Sequence, residues 1–431
     1  MGNLMRHRSS PRGRRRPVLV SLTALALTLT ACGSGGSADS GGSGGSAAGS
    51  GDSIADLESI DDATVQKTVS RAFLTEDVKL DDLDPTVQET FRRATIELSP
   101  DQLDKAFECW SETSCEIGDG KVTLGIAEAF GQNQWRRIAK MEAILQALTY
   151  PDVGKIISTD AQGDLATFQS NIRSLASQGA KAIVSYNDFG AAALPAFQAA
   201  QAQGAKISTY VGPVPDAPEE ALASQVHGDV CAVGQEMAKV AQDDLKLTGQ
   251  VAILNGTPGN PQGATWNKCF EDDLSGDLAV GTKLDTDWTL AGAFEAASAL
   301  VSSGEQYTGV FYDYADPIPQ VVEAFDKAGE KTPAIVTWTA NNGMAKVWEK
   351  ALGTDREFPV YFTNGLNWQS RVSVTSVMGL LAGDAVKADI IVPQPFVKAE
   401  AGLYESDRPD DYPGPSVLIA DELLTRMLSA G

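Results

Sequence analysis

The chain has 431 residues, 43% of them hydrophobic, and a formal net charge of −23. That is apolar material for two or three domains, which excludes a wholly disordered chain. The first 31 residues hold six arginines and no acid, so the remainder stands at −29, which argues against nucleic acid or anionic lipid as a partner. Acidic faces are ordinary in secreted proteins, so this charge does not by itself require a cationic ligand.

Residues 6–16 form a basic leader and 18–29 a short apolar run, too short for a permanent membrane span and suited to an export signal. Leu29-Thr30-Ala31-Cys32 resembles the lipobox of bacterial lipoproteins, in which the cysteine receives a diacylglycerol and becomes the first residue. That resemblance implies a signal peptide over 1–31 and membrane anchoring at Cys32; an ordinary export signal with an incidental cysteine is the alternative. Residues 33–53 are almost entirely Gly, Ser and Ala, a composition that cannot bury apolar area. As a flexible tether over 32–53 it would reach about 25 Å.

Residues 54–120 read as a helical extension. Asp84-Pro85 and Ser99-Pro100 each set a capping residue before a proline at the first helical position. Val87, Phe91, Ala94 and Leu98 follow the first signal at helical spacing, and Leu103, Phe107 and Trp110 follow the second. A cover packed on the main body and a docking surface for a partner are both open readings. With Cys32 assigned to lipid, Cys109, Cys115, Cys231 and Cys269 remain, an even number in an exported chain. The most local pairing joins 109 to 115 and 231 to 269, the larger loop contributing roughly 3–4 kcal/mol. His227 is the only histidine after cleavage, so metal and triad constellations lack their parts, and no metal or cofactor is expected.

From Lys121 onward strands and helices alternate: strand 121–130, helix 136–148, strand 155–160, helix 168–175, strand 180–186, helix 191–202, strand 205–211. A second series begins near 225–229 with helix 230–245, strand 249–255, a Gly- and Pro-rich loop 256–263, helix 265–274 and strand 280–286. It continues with helix 290–302, strand 309–313, helix 317–328 and strand 334–338. This alternation predicts two α/β halves with parallel sheets, and ligands of such sheets bind beyond the carboxyl ends of the strands. Two similar halves imply a cleft between them.

At these residues the chain resembles the periplasmic sugar-binding proteins of the ribose-binding type, over roughly 121–398. The resemblance rests on Asn133 and Trp135 beyond the opening strand, Asp160-Ala-Gln-Gly-Asp164, Asn171-Ile172, Gln178-Gly-Ala-Lys-Ala-Ile183, Asp229 with Gly234, Leu254-Asn-Gly256, and Gly309-Val-Phe311. It implies two doubly wound lobes with a hinge, the type I periplasmic binding protein fold, preceded here by the helical extension. Lobe 1 would be 121–225 with 365–395, and lobe 2 would be 226–364 with 396–431. The chain would cross near 211–226, 284–288 and 364.

Carried over position by position, the resemblance implies ligand contacts at Asn133, Trp135, Arg136, Asn187, Asp188, Trp266, Trp288, Asp313, Asp316, Trp338, Asn341 and Asn364. Asn364 stands nearest to where the family usually has Gln. Trp266 replaces the family's Arg, and Val211-Gly212 stands where an Asp-Arg pair is common, so the pocket should be more apolar and larger, open to a disaccharide, a glycoside, a methylated polyol or another neutral ring. A sugar needs rings against its C–H faces and planar amides or carboxylates at its hydroxyls. Trp135, Trp266, Trp288, Trp338 and Trp368 fall at strand ends or crossings, as a ring-lined cleft requires; filler at lobe edges is the plainer alternative for each. Helix capping is the alternative for Asp188, Asp313 and Asp316, a turn role for Asn133 and Asn341, and a plain surface position for Arg136.

The implied function is a lipid-anchored, non-enzymatic solute-binding protein, a monomer on the outer face of the cell membrane. It would feed a neutral sugar or sugar-like ligand to an ATP-binding-cassette permease. A ligand sensor on the same fold remains open. A carbohydrate-active enzyme would need an acid–base pair, for which only Asp313 and Asp316 offer themselves. A lac-repressor-type regulator would need a basic head that this chain lacks.

Overall fold

The computed structural model describes residues 57–131 and 133–430. The expected export signal, Cys32 and the tether lie outside the described residues. Three helices come first: α1 (Asp62–Phe73), α2 (Pro85–Ala94) and α3 (Pro100–Ser111). Both proline signals act as caps. The Asp84 side chain accepts from the Thr86 N–H, and Ser99 and Gln102 cap one another's backbone N–H groups reciprocally.

Lobe 1 follows. Its elements are β1 (Ser114–Glu116), β2 (Val122–Glu128), α4 (Gln134–Ala147), β3 (Val153–Asp160), α5 (Leu165–Ser177), β4 (Ala180–Tyr186), α6 (Leu194–Gln201), β5 (Lys206–Tyr210) and β6 (Ser224–Gly228). They form a sheet in the order β1-β3-β2-β4-β5-β6, with a late strand beyond β6. All neighbours are parallel except β1, which runs antiparallel to β3 along the edge. Helices on both faces explain why β2 and β4 are near-continuous apolar runs rather than alternating ones.

Lobe 2 contains α7 (Val230–Lys239), β7 (Gly249–Asn255), α8 (Pro261–Asp273), β8 (Leu278–Asp285), α9 (Leu290–Ser302), β9 (Tyr307–Tyr312), α10 (Ile318–Ala328), β10 (Ala334–Thr337), α11 (Asn342–Ala351) and β11 (Val360–Phe362). Its parallel strands lie in the order β11-β10-β9-β7-β8. The chain then returns to lobe 1 as α12 (Gln369–Ala382) and β12 (Asp389–Val392), which pairs with β6. β13 (Val397–Lys398) pairs antiparallel with β11, and α13 (Asp421–Ser429) ends the fold.

The crossings differ from the sequence expectation. β6 stays in the first sheet, so the first crossing falls after Gly228. No crossing occurs at 284–288, because β8 and α9 both remain in lobe 2. The third lies between β12 and β13, and a fourth follows. Residues 396–431 were expected in lobe 2, yet Val417, Ile419, Leu423, Leu424 and Met427 bury themselves in the lobe 1 core. Amphipathic spacing demands a covered face but does not say which lobe supplies the cover.

The extension packs on lobe 1. Phe73 and Phe91 close on Trp368 with ring centroids 5.0 and 5.1 Å away, and Trp368 Nε1 donates to the Ala72 carbonyl at 3.2 Å. α12 is therefore enclosed by α2, α4 and the sheet. Several of its polar residues are satisfied internally: Arg371 pairs with Glu142 and Gln146, and Ser373 Oγ donates to the Thr209 carbonyl. Both expected disulfides are formed, Cys109–Cys115 joining α3 to β1 and Cys231–Cys269 joining α7 to α8.

Candidate functional site

The carboxyl ends of both sheets face each other across a cleft of about 520 Å³. On the lobe 1 wall, Asn133 caps α4 by accepting from the Arg136 N–H at 2.9 Å, which points the first turn of α4 into the cleft. Trp135 lies edge-on to Tyr186, centroids 5.6 Å apart, and its Nε1 donates to the Gly365 carbonyl at 2.6 Å. Arg136 is buried, stacks 3.4 Å over the Tyr186 ring and reaches both carboxylate oxygens of Asp188 at 2.8–2.9 Å. Asn187 folds its amide back on its own turn, accepting from Phe189 N and donating to Gly190 O.

The lobe 2 wall carries Trp288, Asp313 and Trp338. Trp288 has a left-handed backbone (φ 52°), and its indole lies over Gly256, where any Cβ would sit inside the ring. Its Nε1 donates to Asp313 Oδ1 at 2.8 Å. Trp338 is nearly buried and donates to Met237 Sδ. The hinge side is closed by Gly365 and Leu366, both with positive φ, and by Gln369.

Residues 125–354, more than half of the chain, match the family described as the periplasmic binding protein domain. The chain belongs to this family of periplasmic binding proteins. A search of curated proteins finds no match. Among solved structures the fold is shared with an ATP-binding-cassette sugar transporter subunit from Rhodobacter sphaeroides 2.4.1, at 17% identity and TM-score 0.54, over 64% of this chain and 98% of the other. It is shared too with a solute-binding protein from Bacillus halodurans C-125 with bound myo-inositol, at 15% and 0.55, over 64% and 94%. A third is the binding component of the arabinose transporter of Shewanella sp. ANA-3, bound to arabinofuranose, at 15% and 0.57, over 64% and 92%.

Eight of the twelve expected contacts line this periplasmic binding protein's cleft: Asn133, Trp135, Arg136, Asn187, Asp188, Trp288, Asp313 and Trp338. Four do not. Trp266 is fully buried in the lobe 2 core against Phe270 and Trp338, because its place on α8 faces the sheet. Asp316, Asn341 and Asn364 line a separate hollow of about 30 Å³ beside the last crossing. There Asn341 caps α11 and donates to Asp316, and Asn364 donates to the Pro393 carbonyl while its buried Oδ1 meets no donor among the described residues. Trp368, expected among the cleft rings, is committed to the extension.

Tyr186 and Gln369 are among the residues of this binding protein's cleft that escaped the sequence reading. Tyr186 ends a strand that reads as core throughout. Gln369 opens α12 five residues after Asn364; it is fully buried, lines the cleft, and neither its Oε1 nor its Nε2 has a partner among the described residues. The signal available was the family's glutamine at the last crossing, displaced by those five positions. Burial raises the Asp313 carboxyl to about 6 against the N–H donated by the Trp288 indole. Behind the wall, burial raises Glu128 to about 7, opposed by the charge of Arg136 and a hydrogen bond from Tyr210.

Proposed function

We propose that this protein is an extracytoplasmic solute-binding lipoprotein that captures a neutral sugar or sugar-like ring between its lobes and delivers it to an ATP-binding-cassette permease. One observation carries the reading. Indoles from opposite lobes, Trp135 and Trp288, face a shared cleft in which Arg136 is already ion-paired with Asp188 and Asp313 accepts from Trp288. Such a cleft offers rings to C–H faces, and the unpartnered amide of Gln369 and the Asp313 carboxylate to hydroxyls, with its arginine already committed. Among the described residues no helix is long and apolar enough to cross a membrane.

Calorimetry against neutral sugars, polyols and nucleosides tests the capture. The expected result is saturable binding of a neutral ring compound with a change in tryptophan fluorescence and no turnover. Binding only of charged solutes, or hydrolysis of a glycan, would overturn it. Release of the Cys32→Ser protein from the membrane fraction tests the anchor, and loss of solute uptake on deleting the chain separates delivery from sensing.

A further inference from the structure

A second groove, of about 540 Å³, opens on lobe 2 beside the cleft. It runs between α8 and the edge strand β8, under the Gly-rich loop 256–263. Trp288, Asp313 and Asn260 line both hollows, so the two lie side by side and share a wall. From Asn260 to Glu271 the groove follows α8 for about 16 Å, at 1.5 Å per residue. That is longer than one sugar ring needs.

Its lining is polar, with both lysines paired inside it and the carboxylates of Asp285 and Asp313 left without a cation among the described residues. Lys268 pairs with Asp272 and Lys283 with Glu271, so neither lysine is left to hold an anionic group. Asn267 is buried, donates to Asn255 Oδ1 at 2.8 Å, and has an Oδ1 with no donor among the described residues. A buried acceptor of this kind costs free energy until a ligand or water donates to it. Hydroxyl groups are donors that suit a groove of amides, self-neutralised ion pairs and the carboxylates of Asp285 and Asp313.

We propose that this groove is a second subsite, taking the further sugar units of a neutral oligosaccharide whose terminal ring occupies the cleft. The inference rests on the cleft reading and narrows its substrate class from single rings to extended glycans. Trp288 is the divider: it lines both the cleft and the groove, and Gly256 leaves its indole the space to lie there.

The test is calorimetry on the full chain with glucose, xylose and galactose, each beside its β- or α-linked oligomers of two to four units. In at least one series the oligomer should bind tenfold or more tighter than its monosaccharide. Ala264→Trp fills the groove from an exposed position outside the cleft. It should bring the oligomer to within threefold of the monosaccharide while leaving the monosaccharide unaffected. Asn267→Leu should act in the same direction, and the exposed Ala264 site decides the matter where Asn267→Leu fails to fold. A monosaccharide that binds with no gain on lengthening, or a gain that survives Ala264→Trp, overturns the subsite and leaves the cleft reading standing. Absence of binding by every sugar and polyol overturns both.

Discussion

Gln369 combines full burial with an amide that meets nothing, and this fixes what its replacement should do. Two hydrogen bonds to a neutral ligand are worth about 1 kcal/mol each, so Gln369→Leu should weaken binding roughly tenfold or more. Removing an unsatisfied buried amide for an apolar group of similar shape is neutral or stabilising, so the melting temperature should hold or rise. A fall in both affinity and melting temperature would mean the amide is satisfied within the fold. Asp313 gives a pH prediction at the same scale. Its folded value near 6 exceeds the ordinary 3.8, so between these values the folded state holds a proton that the unfolded chain has released. Its contribution to stability therefore falls as pH rises through that window. Asp313→Asn should raise the melting temperature relative to the parent more at pH 7.5 than at pH 4.5; the opposite order would show that the carboxylate is welcomed, not penalised. Both tryptophans hold a hydrogen bond as well as facing the cleft. Trp288→Ala and Trp135→Ala should each cost ligand binding about 1 kcal/mol or more, and each also removes an indole hydrogen bond, to the buried Asp313 carboxylate and to the hinge carbonyl of Gly365, so both should lower the melting temperature. Sequence position placed these indoles at strand ends and could not give their direction. That is why Trp266 and Trp368, equally well placed by that criterion, turn into cores.

Among the elements, α12 departs furthest from its sequence signal. The alternation of strands and helices, the proline caps and the local cysteine pairing were all legible, because each is written within a few residues. The burial of α12 on every side was not, since it depends on α2 and on the chain's end returning to lobe 1. Its Arg371 meets Glu142 of α4 with both side chains almost inaccessible, and Glu142 Oε1 also accepts from Leu418 N at 2.8 Å. Gln146 and Thr90 join the same network through Thr375, so the extension, α4, α12 and the C-terminal segment share one polar knot. Leaving one member of a buried ion pair alone costs about 3–5 kcal/mol, whereas replacing both can be close to neutral. Arg371→Met and Glu142→Leu should each destabilise by about that amount in urea unfolding, and the double variant should recover most of it, less the bond to Leu418. Additive losses would mean that the two side chains do not act as a pair.

Across the whole molecule the number of crossings sets how the lobes can move. Segments 229, 363–368 and 393–396 form the connection that two doubly wound lobes ordinarily need, and the stretch around 413–416 adds a fourth. On the lobe 2 side Gly414 N donates to the Ala340 carbonyl at 2.8 Å, and a side chain at Gly414 would press on Ala340. On the hinge side Ser416 Oγ donates to the Asn364 carbonyl, and from Val417 onward the chain is buried in lobe 1. Arg71 of the extension also donates to the Pro415 carbonyl. A strap fixed at both ends limits the angle between the lobes more than three flexible crossings would, because any opening must stretch it or break these contacts. Inserting three glycines after Pro415 leaves both anchorages in place and removes the tension between them. With one spin label on each lobe, the ligand-free distance distribution should broaden toward longer separations, and the ligand-bound distribution should stay as it is. Affinity should fall a few-fold, since the loosened protein has more open conformations to give up on closing. An unchanged ligand-free distribution would show that the strap follows the hinge rather than restraining it.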